Sequence, residues 1–137
     1  MNQYQEQAKI TRFEQLGDEI LRLTLYSPDI AARTKPGQFV MIKAGKGKDP
    51  LLRRPFSVHQ TTNDGHMQLL FKVVGRGTDI LGRRKEGETI SVFGPLGNGY
   101  TIQKNRPACV VAGGLGIAPM LLLVKRISRS KMDTSND

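Results

Sequence analysis

Leu21, Leu23 and Leu25 alternate with Arg22, Thr24 and Tyr26. A period of two sends one row of side chains into a core and the other into solvent, which predicts a half-buried strand. β-structure of this kind is read across residues 6–75. Phe39–Lys43 is a further short strand after the turn signal Lys35-Pro36-Gly37. Leu51–Thr61 and His66–Val74 read as two more, joined by a hairpin at Asn63-Asp64-Gly65, because Asp and Gly tolerate the positive φ of tight turns. A short helix follows over Asp79–Lys85, with Thr78 as its N-cap and Glu86-Gly87 as its end. Thr89–Phe93 is a strand, and Gly94-Pro95-Leu96-Gly97-Asn98-Gly99 reads as a turn-rich loop. Short strands with little helix predict a mainly β fold, a small antiparallel barrel.

At Pro107 the pattern changes. Ala108-Cys109-Val110-Val111-Ala112 is a continuous apolar run, the mark of a strand buried on both faces. Gly113-Gly114-Leu115-Gly116 follows, then a helix from about Ala118 to Ser130 with Pro119 in its first turn. This is the opening of a βαβ unit whose second strand does not follow. The expected organisation is therefore a barrel domain over 1–103, the first βα unit of a truncated α/β nucleotide-binding domain over 104–130, and a polar tail over 131–137. Met120–Val124 and Ile127 offer more apolar surface than one barrel wall covers. Residues 108–130 are accordingly expected to form a homo-oligomer, to swap between protomers about a hinge at Gly94–Gly99, or to be partly disordered.

Composition narrows the class. Hydrophobic residues make up 38% of the 137, low for a globular chain but above the disordered range. No apolar run reaches the roughly 18 residues of a membrane span, and the polar opening MNQYQEQAKITRFEQ lacks a signal core, so a soluble, cytoplasmic protein is expected. The net charge of +9 raises nucleic acid as a partner, but aromatics are 6% and no basic stripe interleaves with them. A solvated basic surface, partly serving a phosphate-bearing small ligand, fits better than specific nucleic-acid binding. Cys109 is the single cysteine and is expected to be a buried structural thiol. One cysteine holds no iron–sulfur cluster, and His59 and His66 alone make no metal site.

Two stretches can bind anions. In Arg53-Arg54-Pro55-Phe56-Ser57, Pro55 cannot donate to a ladder and belongs at an edge, bulge or strand end, Arg54 offers a guanidinium fork that matches phosphate, and Ser57 can address a polar ring atom. The hairpin at 63–65 brings 54–57 opposite roughly 70–74, so Arg54 approaches the Gly77-Thr78 helix start, where unpaired N–H groups attract anions. Together they are suited to the two ends of one pyrophosphate. The second stretch is the glycine-rich turn Gly113–Gly116, which suits a dinucleotide but departs from the Rossmann fingerprint, since Pro119 stands at the third small position. No Ser/His/Asp triad or carboxylate pair is suggested by spacing, so the chemistry has to come from a bound cofactor.

Taken in order, RRPFS, FKVVGRGT, GPLGNGY and VAGGLGIAP resemble the ferredoxin–NADP reductase superfamily over about residues 8–127. The branch most resembled is that of the electron-transfer subunits of bacterial dihydroorotate dehydrogenases. The resemblance implies a small antiparallel Greek-key β-barrel with FAD bound to it, with Arg54, Pro55, Phe56 and Ser57 as the flavin motif, Arg54 on the pyrophosphate and Ser57 near the reactive ring. Leu70, Phe71 and Lys72 match the second flavin segment, and Gly77 and Thr78 the phosphate-binding helix start. Gly113, Gly114, Gly116 and Pro119 match the start of the NAD(P)H domain. In the family a further roughly hundred residues complete that domain, and in the dihydroorotate branch they carry a two-iron two-sulfur cluster. The implied function is a flavin-binding oxidoreductase fragment of an electron relay between NAD(P)H, FAD and the redox centre of a partner subunit, in pyrimidine biosynthesis for that branch. The chain reads as too short for full activity. The alternatives are an FAD- or nucleotide-binding module without turnover and a basic nucleic-acid-binding protein.

Overall fold

The computed structural model describes residues 3–45, 47 and 52–135, with side chains through residue 130. Its strands are β1 (Tyr4–Gly17), β2 (Ile20–Tyr26), β3 (Phe39–Lys43), β4 (Arg54–Thr61), β5 (His66–Lys72) and β6 (Thr89–Leu96). They close into an antiparallel barrel in the order β1-β2-β5-β4-β3-β6. The connections from β2 to β3 and from β5 to β6 cross over between non-adjacent positions, as in a Greek key. They carry helices α1 (Pro28–Arg33) and α2 (Arg76–Gly82). A single 3₁₀ turn (Gly114–Ile117) and helix α3 (Met120–Ser135) follow the barrel.

Alternation fills the interior. Leu23, Leu25, Val40, Ile42, Val58, Met67, Leu69, Ile90 and Val92 are fully buried, each one residue removed from a neighbour that faces out or lies at the rim. Burying one such side chain is worth about 1.5–3 kcal/mol. α1 plugs one end: Ile30 and Ala31 are buried, and the Ile30 N–H donates to the Glu6 carboxylate at 2.7 Å. The guanidinium of Arg33 lies 4.4 Å above the Tyr4 ring and ties the same helix to β1. On the β1–β2 hairpin Arg22 grips Glu14 with two bonds of 3.0 and 2.9 Å, and this hydrogen bonding holds the Glu14 carboxyl below the usual carboxylate range.

The expected hairpin turns where it was placed, with Gly65 at φ +90 and the Asp64 carboxyl held low first by the Thr62 hydroxyl and then by His66. Other expectations change. The sequence pattern gives β1 no boundaries, because its outward row is polar and only Ala8 and Ile10 are buried. α1, six residues long, is too short to show a helical period. β6 continues through Gly94-Pro95-Leu96, with Leu96 opposite Phe39, so the loop begins at Gly97. A Cβ on Gly94 would stand 3.0 Å from Val40, so glycine there permits the strands' close approach. Leu51, the expected first residue of β4, lies outside the described residues.

The largest correction concerns residues 108–112. They form no strand and all are exposed, Val111 to 88%. Cys109 is exposed rather than buried. The physical reason is the closed barrel, which leaves no open strand edge for this run to join. Instead, residues 100–110 and α3 border an open groove of about 700 Å³ lined by Tyr100, Cys109, Val110, Leu123 and Ile127. α3 begins at Met120 and extends through Ser135, so most of the expected polar tail is helical backbone, while 136–137 lie outside the described residues. No described helix is long and apolar enough to cross a membrane.

Candidate functional site

β4 is central to the candidate site. On one side it pairs with β3 (Phe39 with Ser57, Met41 with Pro55) and on the other with β5 (Val58 with Leu69). Continuing antiparallel from Val58–Leu69 sets Ser57 against Leu70 and Phe56 against Phe71, the expected register. The Phe56 and Phe71 rings meet edge to face at 5.5 Å. Both are core residues, 7% and 4% exposed, so any contact they make with a surface ligand is through backbone. Pro55, Ser57 and Lys72 are exposed and Leu70 is half-buried, forming one outer face over those two rings.

Arg54 has the parity of Phe56 and Val58 but stands at the barrel end, and its side chain leaves over the rim. It crosses the start of α2: a Cβ on Gly77 would lie 2.9 Å from Arg54 Nε and 3.0 Å from its Cγ. A side chain at 77 would push Arg54 off this course past the helix start. Arg54 also donates to the Leu52 carbonyl at 3.3 Å. The N-cap of α2 is Gly75, not Thr78, and the helix spans 76–82 rather than 79–85. Thr78 sits one turn in, and its hydroxyl oxygen accepts from the N–H of Val74 (2.9 Å) and of Gly75 (3.1 Å). A threonine that caps from inside the helix has the same sequence signature as one that starts it, hence the three-residue displacement. Leu52 and Val74, 68% and 78% exposed, bracket this corner with apolar surface that the sequence reading did not single out.

The other basic residues divide. Arg53 is structural, with its guanidinium donating to the Ser91 carbonyl at 3.2 Å and hydroxyl at 2.8 Å. Arg84 donates to the carbonyls of Ala44 and Thr89 and lies 3.3 Å from the Glu88 carboxylate. The arginine doublet therefore supplies one fastener for β6 and one guanidinium that lies at the rim beside α2.

The glycine-rich turn is not at this corner; the residues after it, Ala118 and α3, dock farther along β4. Gly114 has φ +56, which favours glycine, and the turn also touches β5. Ala118 is buried against His59, Leu122 is buried against the barrel, and Lys125 donates to Gln60. The structure thus assembles Arg54, Pro55, Ser57, Leu70, Lys72, Gly77 and Thr78 into one patch, and places Gly113, Gly114, Gly116 and Pro119 in a neighbouring element on the same wall. His59 and Gln60 were missed as docking residues; a polar pair at a strand end carries no signal of what will cover it. Among the described residues no group of His, Cys, Asp or Glu is placed to hold a metal ion.

The site is thus a closed six-stranded barrel with a cationic, glycine-flanked corner and an exposed hydroxyl on one wall. The family model of the oxidoreductase FAD-binding domain matches residues 7–100. The chain belongs to that family. It is 45% identical over 107 residues to the electron transfer subunit of dihydroorotate dehydrogenase B (NAD(+)) from Desulforamulus reducens, covering 77% of this chain and 41% of that protein. It is 37% identical over 132 residues to the subunit of the same description from Enterococcus faecalis, covering 93% and 50%. Among solved structures, an NADH-dependent reduced ferredoxin-NADP oxidoreductase superposes with a TM-score of 0.82 at 30% identity, over 91% of this chain and 45% of that one. The ferredoxin reductase of carbazole 1,9a-dioxygenase gives 0.79 at 25% identity, over 93% and 39%. The chain spans about half the length of the curated relatives it matches.

Proposed function

We propose that this chain is the flavin end of an NAD(P)H-linked electron relay, with FAD held by the outer wall of β4 and β5 and its pyrophosphate between Arg54 and the start of α2. The observation that carries the reading is the passage of Arg54 across Gly77, which brings a phosphate-matching guanidinium to the N-terminal end of α2. The residues present fit the group: a glycine cradle, an exposed Ser57 hydroxyl, and the apolar Leu52 and Val74 beside the anion corner. When bound, FAD supplies two-electron acceptance from a nicotinamide and onward electron delivery. The chain's own residues bind and orient: Arg54 neutralises the anion, Ser57 addresses a polar edge of the ring system, and Leu52 and Val74 exclude water.

On this reading residues 1–103 are the flavin domain and 104–130 open a nicotinamide-binding domain, with Gly113, Gly114, Gly116 and Pro119 at its nucleotide turn. The names of the relatives support a partner subunit that oxidises dihydroorotate, and so a place in pyrimidine synthesis. The test is direct. Purified protein supplied with FAD should show protein-bound flavin absorption, and Arg54→Ala should weaken FAD binding by about 1.5–3 kcal/mol, the scale of a hydrogen bond to a charged group. Unchanged affinity in Arg54→Ala removes the site assignment; absent flavin binding in the parent chain removes the function. Bleaching of the bound flavin by NADH separates a relay from a module that only binds.

A further inference from the structure

We propose that His59 is a positioning residue that locks the glycine-rich turn to the flavin wall of β4, an inference that rests on the flavin reading above. Val58 faces Leu69 and Gln60 faces Gln68, which leaves His59 as the extra residue of a β-bulge. Bulges re-aim side chains and recur beside functional sites. This one turns His59 away from the barrel, where it is 8% exposed and its Nδ1 lies 2.6 Å from the Ala118 carbonyl oxygen. A carbonyl only accepts, so Nδ1 carries the proton and donates. The bond therefore selects the Nδ1–H tautomer, the minor one of a free neutral histidine.

Ala118 needs such a partner. The residue before a proline prefers extended backbone, whereas Ala118 is helical at φ −52, ψ −49 immediately before Pro119. The bond from His59 fixes where that carbonyl sits, just before the entry into α3. Leu122 and the Lys125–Gln60 bond continue the attachment along the same strand. The consequence is a fixed offset. His59 stands two residues beyond Ser57, about 7 Å along the strand, so the nucleotide turn is registered against the residue expected to face the flavin ring. Errors of about 1 Å in such a register cost on the order of 100-fold in a transfer step.

Nitrogen NMR of the flavin-loaded chain should find the His59 proton on Nδ1, protected from exchange. His59→Phe keeps the bulk and removes the donor, while His59→Asn places an N–H near the Nδ1 position. In the Phe variant the amides of Gly116, Ala118 and the first turns of α3 should exchange about tenfold faster, the change made by one lost hydrogen bond, while those of β2 and β5 hold. FAD affinity should stay within about twofold, because the anion corner is remote from the bulge. The Asn variant should restore most of the protection. An Nε2–H tautomer in the parent chain, or unaltered exchange in the Phe variant, overturns the proposal. If His59→Phe does not fold, the parent tautomer and the Asn variant still decide it. FAD titration of the parent chain is read separately, so failure of the flavin reading is distinguishable from failure of the lock.

Discussion

The barrel and the segment that follows it obey the same chemistry and reach opposite outcomes. In β2 and β5 Leu21, Leu23, Leu25, Met67, Leu69 and Phe71 find an interior because neighbouring strands pair on both sides, and the barrel has no free edge. In 108–112 five apolar residues form no strand and stay exposed, because nothing among the described residues offers them a ladder. Hydrophobicity and β propensity are thus necessary but not sufficient. A strand is a property of a pair.

Substitutions should break this comparison most sharply in stability. Leu23→Ala removes a fully buried side chain and should cost about 2–5 kcal/mol by denaturant unfolding. Val111→Ser, at 88% exposure, should stay within about 0.5 kcal/mol of the parent. A cost above 1 kcal/mol at Val111, beyond the range of about 0.5 for a free surface site, would show that 108–112 is packed in solution.

A second expectation concerns association. Light scattering should find self-association in the full chain and a monomer in a version ending near Lys104, since uncovered apolar surface favours contact between copies. Two monodisperse monomers would mean that α3 and the barrel already cover enough.

A third compares the two nucleotide elements. Flavin bleaching by NADH should be slow and hard to saturate, because a dinucleotide crevice is built by several parallel strands and this segment contributes none among the described residues. Rapid, saturable bleaching would show that the turn and α3 suffice.

The smallest effect is electrostatic. Glu14 is held low by Arg22, so its contribution to stability is present above the ordinary carboxylate range and disappears as pH falls through its lowered value. Glu14→Gln should therefore lose a little stability at neutral pH and nothing at the acid end. Parallel melting curves from pH 7 to about 2 would check the sign.

The sequence disclosed those parts of the fold that rest on local pattern. β3 kept both of its expected ends, and the Asn63–Gly65 turn set the register that brings Arg54 to Gly77. The alternation of Leu21, Leu23 and Leu25 placed β2 to within a residue. Other parts depended on distant partners. β1 is recognisable only once β2 and β6 flank it, and α1 only once its Ile30 seals the barrel end. At the candidate site, Arg54, Ser57 and Gly77 stand out through residue type. His59 did not, because its role depends on a carbonyl 59 positions away.

The pairing of β1 with β6 has a consequence for how the chain comes into being. Lys9 lies opposite Thr89 and Tyr4 opposite Gly94. During synthesis the first strand must therefore wait for almost the whole barrel to leave the ribosome before its outer edge is satisfied. β3 waits too, since β6 is also its neighbour. Contacts of such long sequence separation slow folding and leave strand edges open to other nascent chains. The final strand to emerge is the one that ends this exposure, so a ribosome stalled shortly before Thr89 would hold an open, sticky sheet, and one stalled well beyond Leu96 a finished barrel.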